Sequence, residues 1–367
     1  MNGLSIPFVG LKKQYNNLRT EILAVTDEVL RSGCLMNGNQ TVEFEHWVAD
    51  RCHSKYAVTC HSGTQALEMI AEFYATQREI ANPPTVMIPN LTYAATANAF
   101  MRAGWNLHFV DVDCHGVMDL HKIPQLVDFQ ALVLVGLYGA SVSHLADTKA
   151  WRNLVHGDAV VIEDAAQHWL AAGGTRVGRA TAISFDPMKN LPAYGNGGAV
   201  VTNDAELATW VRNTRDNGKL DRHRSTGTNS RMSELDCAQL LIKAQHLDAW
   251  QSRRRKIAEF WMERFRDSNV RCLIARDNAR EHGFSKFVID VDQRDRLHTE
   301  LQNAKIETRI HYESSLSEMG GFQQWPGPDL LGSSFALSRR VLSLPFYPEL
   351  TDLEVEYITD QVRACVS

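Results

Sequence analysis

Seven short apolar runs separated by stretches of helical spacing constrain this chain more than any other feature of its sequence. The runs fall at 56–59, 86–89, 106–112, 131–137, 159–163, 182–185 and 199–202, with helical stretches beginning near Gly63 and covering 92–103, 145–154 and 205–213. Strands that alternate with helices predict an α/β layer structure with a mostly parallel sheet. Runs that are almost continuously apolar predict a sheet covered on both faces. Beyond Asp236 the texture changes to one long helical pattern, 235–266, carrying Leu240, Leu247, Trp250, Ile257, Trp261 and Phe265. This predicts a connecting helix, with a large α/β domain over 1–249 and a smaller α+β domain over 250–367.

Composition narrows the function. With 44% hydrophobic and 22% charged residues, the chain is neither disordered nor low-complexity. A net charge of −5 argues against a general nucleic-acid binder. The basic run Arg253-Arg254-Arg255-Lys256 reads as a solvated helix face. No apolar stretch is long enough to span a bilayer, and no signal peptide is expected. Seven irregularly spaced cysteines without a C-x-x-C pair suggest neither a zinc site nor a disulfide framework. The expectation is a soluble cytoplasmic protein with no metal.

Three motifs carry chemistry. His61-Ser62-Gly63-Thr64-Gln65 follows a strand and opens a helix, where free backbone N–H groups and the helix dipole favour a phosphate; a plain Ser cap is the competing reading. Val160-Val161-Ile162-Glu163-Asp164 ends a strand in two carboxylates, at the edge where α/β sheets bind ligands. Either carboxylate could instead be a helix cap. Ser184-Phe185-Asp186-Pro187-Met188-Lys189 presents a lysine 25 residues after Asp164, ahead of the glycine-rich turn Gly195-Asn196-Gly197-Gly198. Phosphate-binding hydroxyls, a strand-end acid and a following lysine are the parts a pyridoxal phosphate site requires.

With these residues in place, the chain resembles the DegT/DnrJ/EryC1/StrS family of nucleotide-sugar aminotransferases, within the fold-type I pyridoxal-phosphate enzymes. The resemblance runs from Ile6-Pro7-Phe8 through Ser62-Gly63-Thr64, Thr92 to Asn98, Glu163 to Gln167, Ser184-Phe185, Lys189 and Gly197-Gly198. It continues through Asn229 to Met232, Glu307 to Tyr312 and Leu342 to Pro345. It implies that Lys189 is the Schiff-base lysine and proton shuttle, and that Asp164 pairs with the pyridine nitrogen. Tyr93 would stack on the ring, with Gln167 near its substituents. Gly63, Thr64 and Ser184 would hold the phosphate. Asn229 would reach a neighbouring subunit's phosphate, which implies a homodimer.

The resemblance further implies glutamate as donor and a nucleoside-diphosphate keto-sugar as acceptor, in amino-sugar and polysaccharide biosynthesis. Arg222, Arg224, His311 and Tyr312 are candidate substrate contacts. The stretch Lys189-Asn190-Leu191-Pro192-Ala193-Tyr194 before the glycines resembles members acting on 3-keto rather than 4-keto sugars. Three departures stand out: Asn196 between glycines where an acid is usual, Lys305 where a glycine is usual, and Glu313-Ser314-Ser315 after Tyr312. A deoxysugar dehydratase on the same scaffold is a competing reading, although those relatives carry histidine in place of Lys189. A non-catalytic regulator that kept the fold is another.

Overall fold

The computed structural model describes residues 4–77, 83–148, 151, 159–175, 177–274, 279–327 and 332–366. In chain order the helices and strands are α1 (Leu11–Ser32), α2 (Asn39–Arg51), β1 (Tyr56–Cys60), α3 (Gly63–Thr76), β2 (Thr85–Pro89), α4 (Ala94–Arg102) and β3 (Asn106–Val110). There follow β4 (Ala131–Val135), β5 (Val160–Asp164), β6 (Ala180–Ser184), β7 (Gly198–Thr202), α5 (Ala205–Thr214), α6 (Glu234–Ala244) and α7 (Leu247–Arg264). The last are β8 (Arg271–Cys272), β9 (Phe287–Asp290), α8 (Arg294–Asn303), α9 (Ser333–Arg340), β10 (Val341–Leu344) and α10 (Asp352–Val366). All seven predicted strands form. The stretch 145–154 is described only in part: a short 3-10 turn covers Ser143–Asp147, while 149–150 and 152–158 lie outside the described residues.

The seven strands make one sheet in the order β1-β7-β6-β5-β4-β2-β3. Four of its pairings, β2–β3, β2–β4, β4–β5 and β5–β6, are parallel, and β7 runs against both β6 and β1. The C-terminal ends of β1, β5 and β6 and the start of β7 therefore meet along one edge. In the register Gly198 lies opposite both Ser184 and Cys60. Strands β4 to β7 are buried at every position, as the uninterrupted apolar runs predict.

A second, antiparallel sheet, β10-β9-β8, has its own core built on Trp261, Phe265, Phe287, Leu301, Leu342 and Ile358. Ile6 belongs to that core as well. It bridges Ile306, and the Phe8 N–H donates to Glu307 at 3.0 Å.

Two sequence expectations are corrected. The pattern over 235–266 is not one helix, because α6 ends at Ala244 and α7 starts at Leu247. Cys237, Leu240 and Leu247 face the core under β1 and β7, whereas Ile257, Trp261 and Phe265 face the second core. The turn between the helices redirects the apolar stripe. The basic run is not a solvated face either. Arg254 is buried and donates to the Phe346 carbonyl, Arg253 donates to Leu350 and Asp352, and Arg255 reaches the Ala279 carbonyl. Arg253 and Arg254 tie α7 to residues 346–352, and Arg255 ties it to the segment at Ala279. Lys305, where a glycine is usual, adopts φ +60°, a backbone region most residues avoid.

Candidate active site

A cleft of about 270 Å³ opens where the strand ends converge. Its walls include Ser62, Gly63, Thr64, Tyr93, Asp164, Gln167, Ser184, Lys189, His311 and Tyr312, so segments far apart in sequence share one cavity.

Glu163 and Asp164 are consecutive on β5 and so point to opposite faces of the sheet. Glu163 is fully buried and accepts N–H bonds from Val177 and Gly178 at 2.8 and 2.7 Å and from Thr175 at 3.1 Å. His168 Nε2 makes a fourth contact at 3.1 Å. Burial works against the Glu163 charge, but the bonds from His168, Gly178 and Val177 overcome it and hold the carboxyl below its usual range. Asp164 faces the cleft. Its Oδ2 accepts from the Thr96 hydroxyl at 2.7 Å and its Oδ1 from the Ala166 N–H at 3.2 Å, which fixes the carboxylate plane.

The start of α3 also lines the cleft. Ser62 is its extended N-cap and accepts from the Gln65 N–H at 3.2 Å, leaving the first N–H groups of the helix without intrahelical acceptors. The close approach of three backbone segments needs glycine. A Cβ at Gly63 would lie 2.8 Å from Ser184 Cβ, and one at Gly198 would lie 2.4 Å from the Ser62 carbonyl carbon and 2.6 Å from the Gly63 nitrogen.

Lys189 follows a tight turn in which Asp186 Oδ1 accepts from the Met188 N–H and the Asp186 carbonyl from the Lys189 N–H, both at 2.9 Å. Burial pushes the Lys189 ammonium below its usual range, while the Asp164 and Asp186 carboxylates pull it back. Next to it Asn190 turns inward and donates to Gln251 at 2.7 Å and to the Gly283 carbonyl at 2.8 Å, which pins the lysine loop to the second half of the chain.

Gln167 Oε1 accepts from the Tyr138 N–H at 2.8 Å, which sets its amide so that Nε2 donates to the Tyr312 hydroxyl at 3.3 Å. Burial and the charge of Asp164 push the Tyr312 phenol up, so it stays protonated. Its ring lies 5.8 Å from the half-exposed ring of Tyr93. His311 is driven down to about 2 by burial, Lys286, Lys189 and Arg309, so its ring is neutral. Its Nδ1 is 2.9 Å from Ser343 Oγ.

Three predicted residues stand apart from this chain's cleft. Asn229 is exposed, pairs by its backbone with Asp216 and accepts from Arg231 at 3.1 Å. Arg222 and Arg224 lie on the exposed turn after Asp221, with Arg222 at φ +61°. The sequence reading missed Thr96, Tyr138 and Lys286. Thr96 lies in the stretch 92–98 that carries the family resemblance, but nothing local marks the other two.

The family model of DegT/DnrJ/EryC1/StrS aminotransferases matches residues 16–363. The chain belongs to that family. The EryC1 erythromycin biosynthesis sensory transduction protein of Saccharopolyspora erythraea is 33% identical over 380 residues, covering 98% of this chain and 100% of the relative. The dTDP-3-amino-3,4,6-trideoxy-α-D-glucose transaminase of Streptomyces venezuelae is 31% identical over 369 residues, covering 98% and 95%. Among solved structures, DesV of S. venezuelae superposes with a TM-score of 0.90 at 31% identity, covering 99% of this chain and 98% of that one. This member of the DegT/DnrJ/EryC1/StrS family is a sugar aminotransferase whose cofactor is pyridoxal phosphate. Among the described residues no helix is long and apolar enough to cross a membrane, and no cluster of His, Cys, Asp and Glu could hold a metal ion.

Proposed function

We propose that this family member moves an amino group from glutamate to the 3-keto carbon of a nucleoside-diphosphate sugar, as a homodimer. One observation carries the reading: Lys189 and Asp164 share one cleft with the N-terminus of α3. The donor set fits pyridoxal phosphate. The N–H groups of Gly63 and Thr64 and the Ser184 hydroxyl would hold its phosphate, at a helix start that favours anions. Asp164 would pair with its pyridine nitrogen, Tyr93 would cover the ring, and Lys189 would be its covalent anchor. When bound, the cofactor supplies the electron sink that loosens a proton on the donor's α-carbon.

The chain's own residues do the rest. Lys189 takes that proton and later returns it, and burial, which lowers its proton affinity, favours the neutral, basic amine. Thr96 and the Ala166 N–H keep Asp164 from rotating away. Because Gln167 already donates to the Tyr312 oxygen, the phenolic hydrogen is available to an acceptor inside the cleft. His311 is neutral and adds no competing charge. Asn229, Arg222 and Arg224, exposed and outside this chain's cleft, are assigned to the partner subunit's phosphate and to the sugar diphosphate.

The preference for the 3-keto position is supported by the Lys189 to Tyr194 loop and by the 3-amino product named for the Streptomyces transaminase. The test offers matched 3-keto and 4-keto nucleotide sugars with glutamate and locates the new amine by NMR. Amination of the 3-keto sugar is expected. Amination of the 4-keto sugar alone would overturn the position, and no turnover with glutamate would overturn the donor.

A further inference from the structure

Lys286 lines the cleft beside Lys189, Asp186 and His311. It is 6% exposed, and its ammonium makes no hydrogen bond or ion pair among the described residues. Leaving a buried cation unpaired is expensive, so such a site is built for a ligand that completes it. Its surroundings are cationic: Lys189 and Arg254 act against its charge and only Asp186 acts in its favour, and with burial these bring it down to about 7.

A narrow pocket of about 30 Å³, bordered by both Lys189 and Lys286, holds one carboxylate, Glu349, but Glu349 acts on Arg254 and makes no hydrogen bond or ion pair with Lys286. Its unpaired groups include the donors Arg254 Nε and Ser285 Oγ and the acceptors Gln14 Oε1 and Glu349 Oε2. One or two waters would satisfy donors and acceptors together there. The cleft side has no such balance, and a carboxylate arriving there meets an unpaired ammonium in a low-dielectric wall.

We propose that Lys286 is a specificity-determining residue that binds the α-carboxylate of the amino donor. The cofactor phosphate is assigned to the start of α3 and the sugar diphosphate to Arg222 and Arg224, which leaves a substrate carboxylate as the anion for this wall. The assignment rests on the aminotransferase reading with glutamate as donor. A carboxylate could also arrive on a sugar acid, so the test separates the two sources.

Holoenzyme is mixed with glutamate or with 4-aminobutyrate, which keeps an amine and the distal carboxylate but lacks the α-carboxylate. No sugar is present, and the loss of cofactor absorbance is followed. Binding of maleate, which cannot react, is measured by calorimetry. Wild type should favour glutamate, and Lys286→Met should weaken glutamate and maleate about 10- to 100-fold, the range of a charge-assisted hydrogen bond. The preference over 4-aminobutyrate should fall by the same factor. Amination of a nucleotide sugar whose sugar carries no carboxylate, by the variant preloaded with the aminated cofactor, should fall by a smaller factor than the reaction with glutamate.

Equal use of glutamate and 4-aminobutyrate by wild type would overturn the proposal without any variant. So would unchanged glutamate and maleate affinity in Lys286→Met. An effect confined to nucleotide sugars that carry a carboxylate would overturn the donor assignment. If another α-amino acid bleaches the enzyme and glutamate does not, the glutamate reading falls. The same comparison, made with that amino acid and its decarboxylated amine, then decides the role of Lys286.

Discussion

Replacing Glu163 with glutamine isolates what the buried carboxylate on the far face of β5 does. His168 Nδ1 accepts the Gly136 N–H at 3.0 Å, so the ring proton sits on Nε2 and points at Glu163. Together with Thr175, Val177 and Gly178, that directs four donors at two oxygens. Glutamine keeps one oxygen. If it serves Val177 and Gly178, its NH2 opposes the Thr175 N–H and His168 Nε2–H. Two buried donors left unpaired cost about 1–3 kcal/mol each, so Glu163→Gln should lose about 2–6 kcal/mol. Urea unfolding followed by circular dichroism at pH 7 measures it.

The pH dependence carries its own sign. The native carboxyl lies below its unfolded value, so its contribution is complete above about pH 4.3 and is lost as pH falls through the native value. The gap between wild type and variant should shrink in acid. A loss under about 1 kcal/mol at pH 7 would show that the Glu163 bonds do not matter energetically.

Further expectations follow from other sites. Lys189→Ala should fold as wild type yet lose transamination by about 10²–10⁴-fold, the usual share of a general acid–base group; comparable turnover would remove it from the mechanism. Gly198→Ala forces a Cβ to within 2.4–2.6 Å of the Ser62-Gly63 backbone, so cofactor titration should show weakened binding, and wild-type binding would refute the need for that approach. Lys243 is buried, donates to the Pro192 carbonyl at 2.7 Å and is pushed down to about 7 by burial. The unfolded chain then binds more protons from about pH 7 to 10.4, so stability should rise across that window, and less so in Lys243→Met. Equal slopes would exclude Lys243 as the source.

Much of the sheet was legible because its strands are buried on both faces, so apolar runs and strands coincide. The edge holding the site followed from strand ends, yet the residue pattern alone left Glu163 and Asp164 equivalent, and only the family resemblance singled out Asp164. Which of them faces the cleft depends on which side of β5 carries the N–H groups of Thr175, Val177 and Gly178, a long-range fact. Lys286 escaped for a related reason: in Phe284-Ser285-Lys286-Phe287 it reads as the polar position of a strand, and only the packing of that segment against Tyr138 turns it inward. The break between α6 and α7 has no glycine or proline to mark it. Its cause is the presence of two cores, and a helical period cannot reveal how many cores it serves.

The bridge between Ile6 and Ile306 has a temporal consequence. During synthesis Ile6 leaves the ribosome 300 residues before its partner. At about 5–20 residues per second that is roughly 15–60 s of waiting. The cleft-forming strands through β7 can pair in that interval, but the core around Trp261 closes only when the newest segments return to the oldest. Ile6 is therefore made long before it is sheltered, and a chaperone that engages the stretch around it would have a long window to act there.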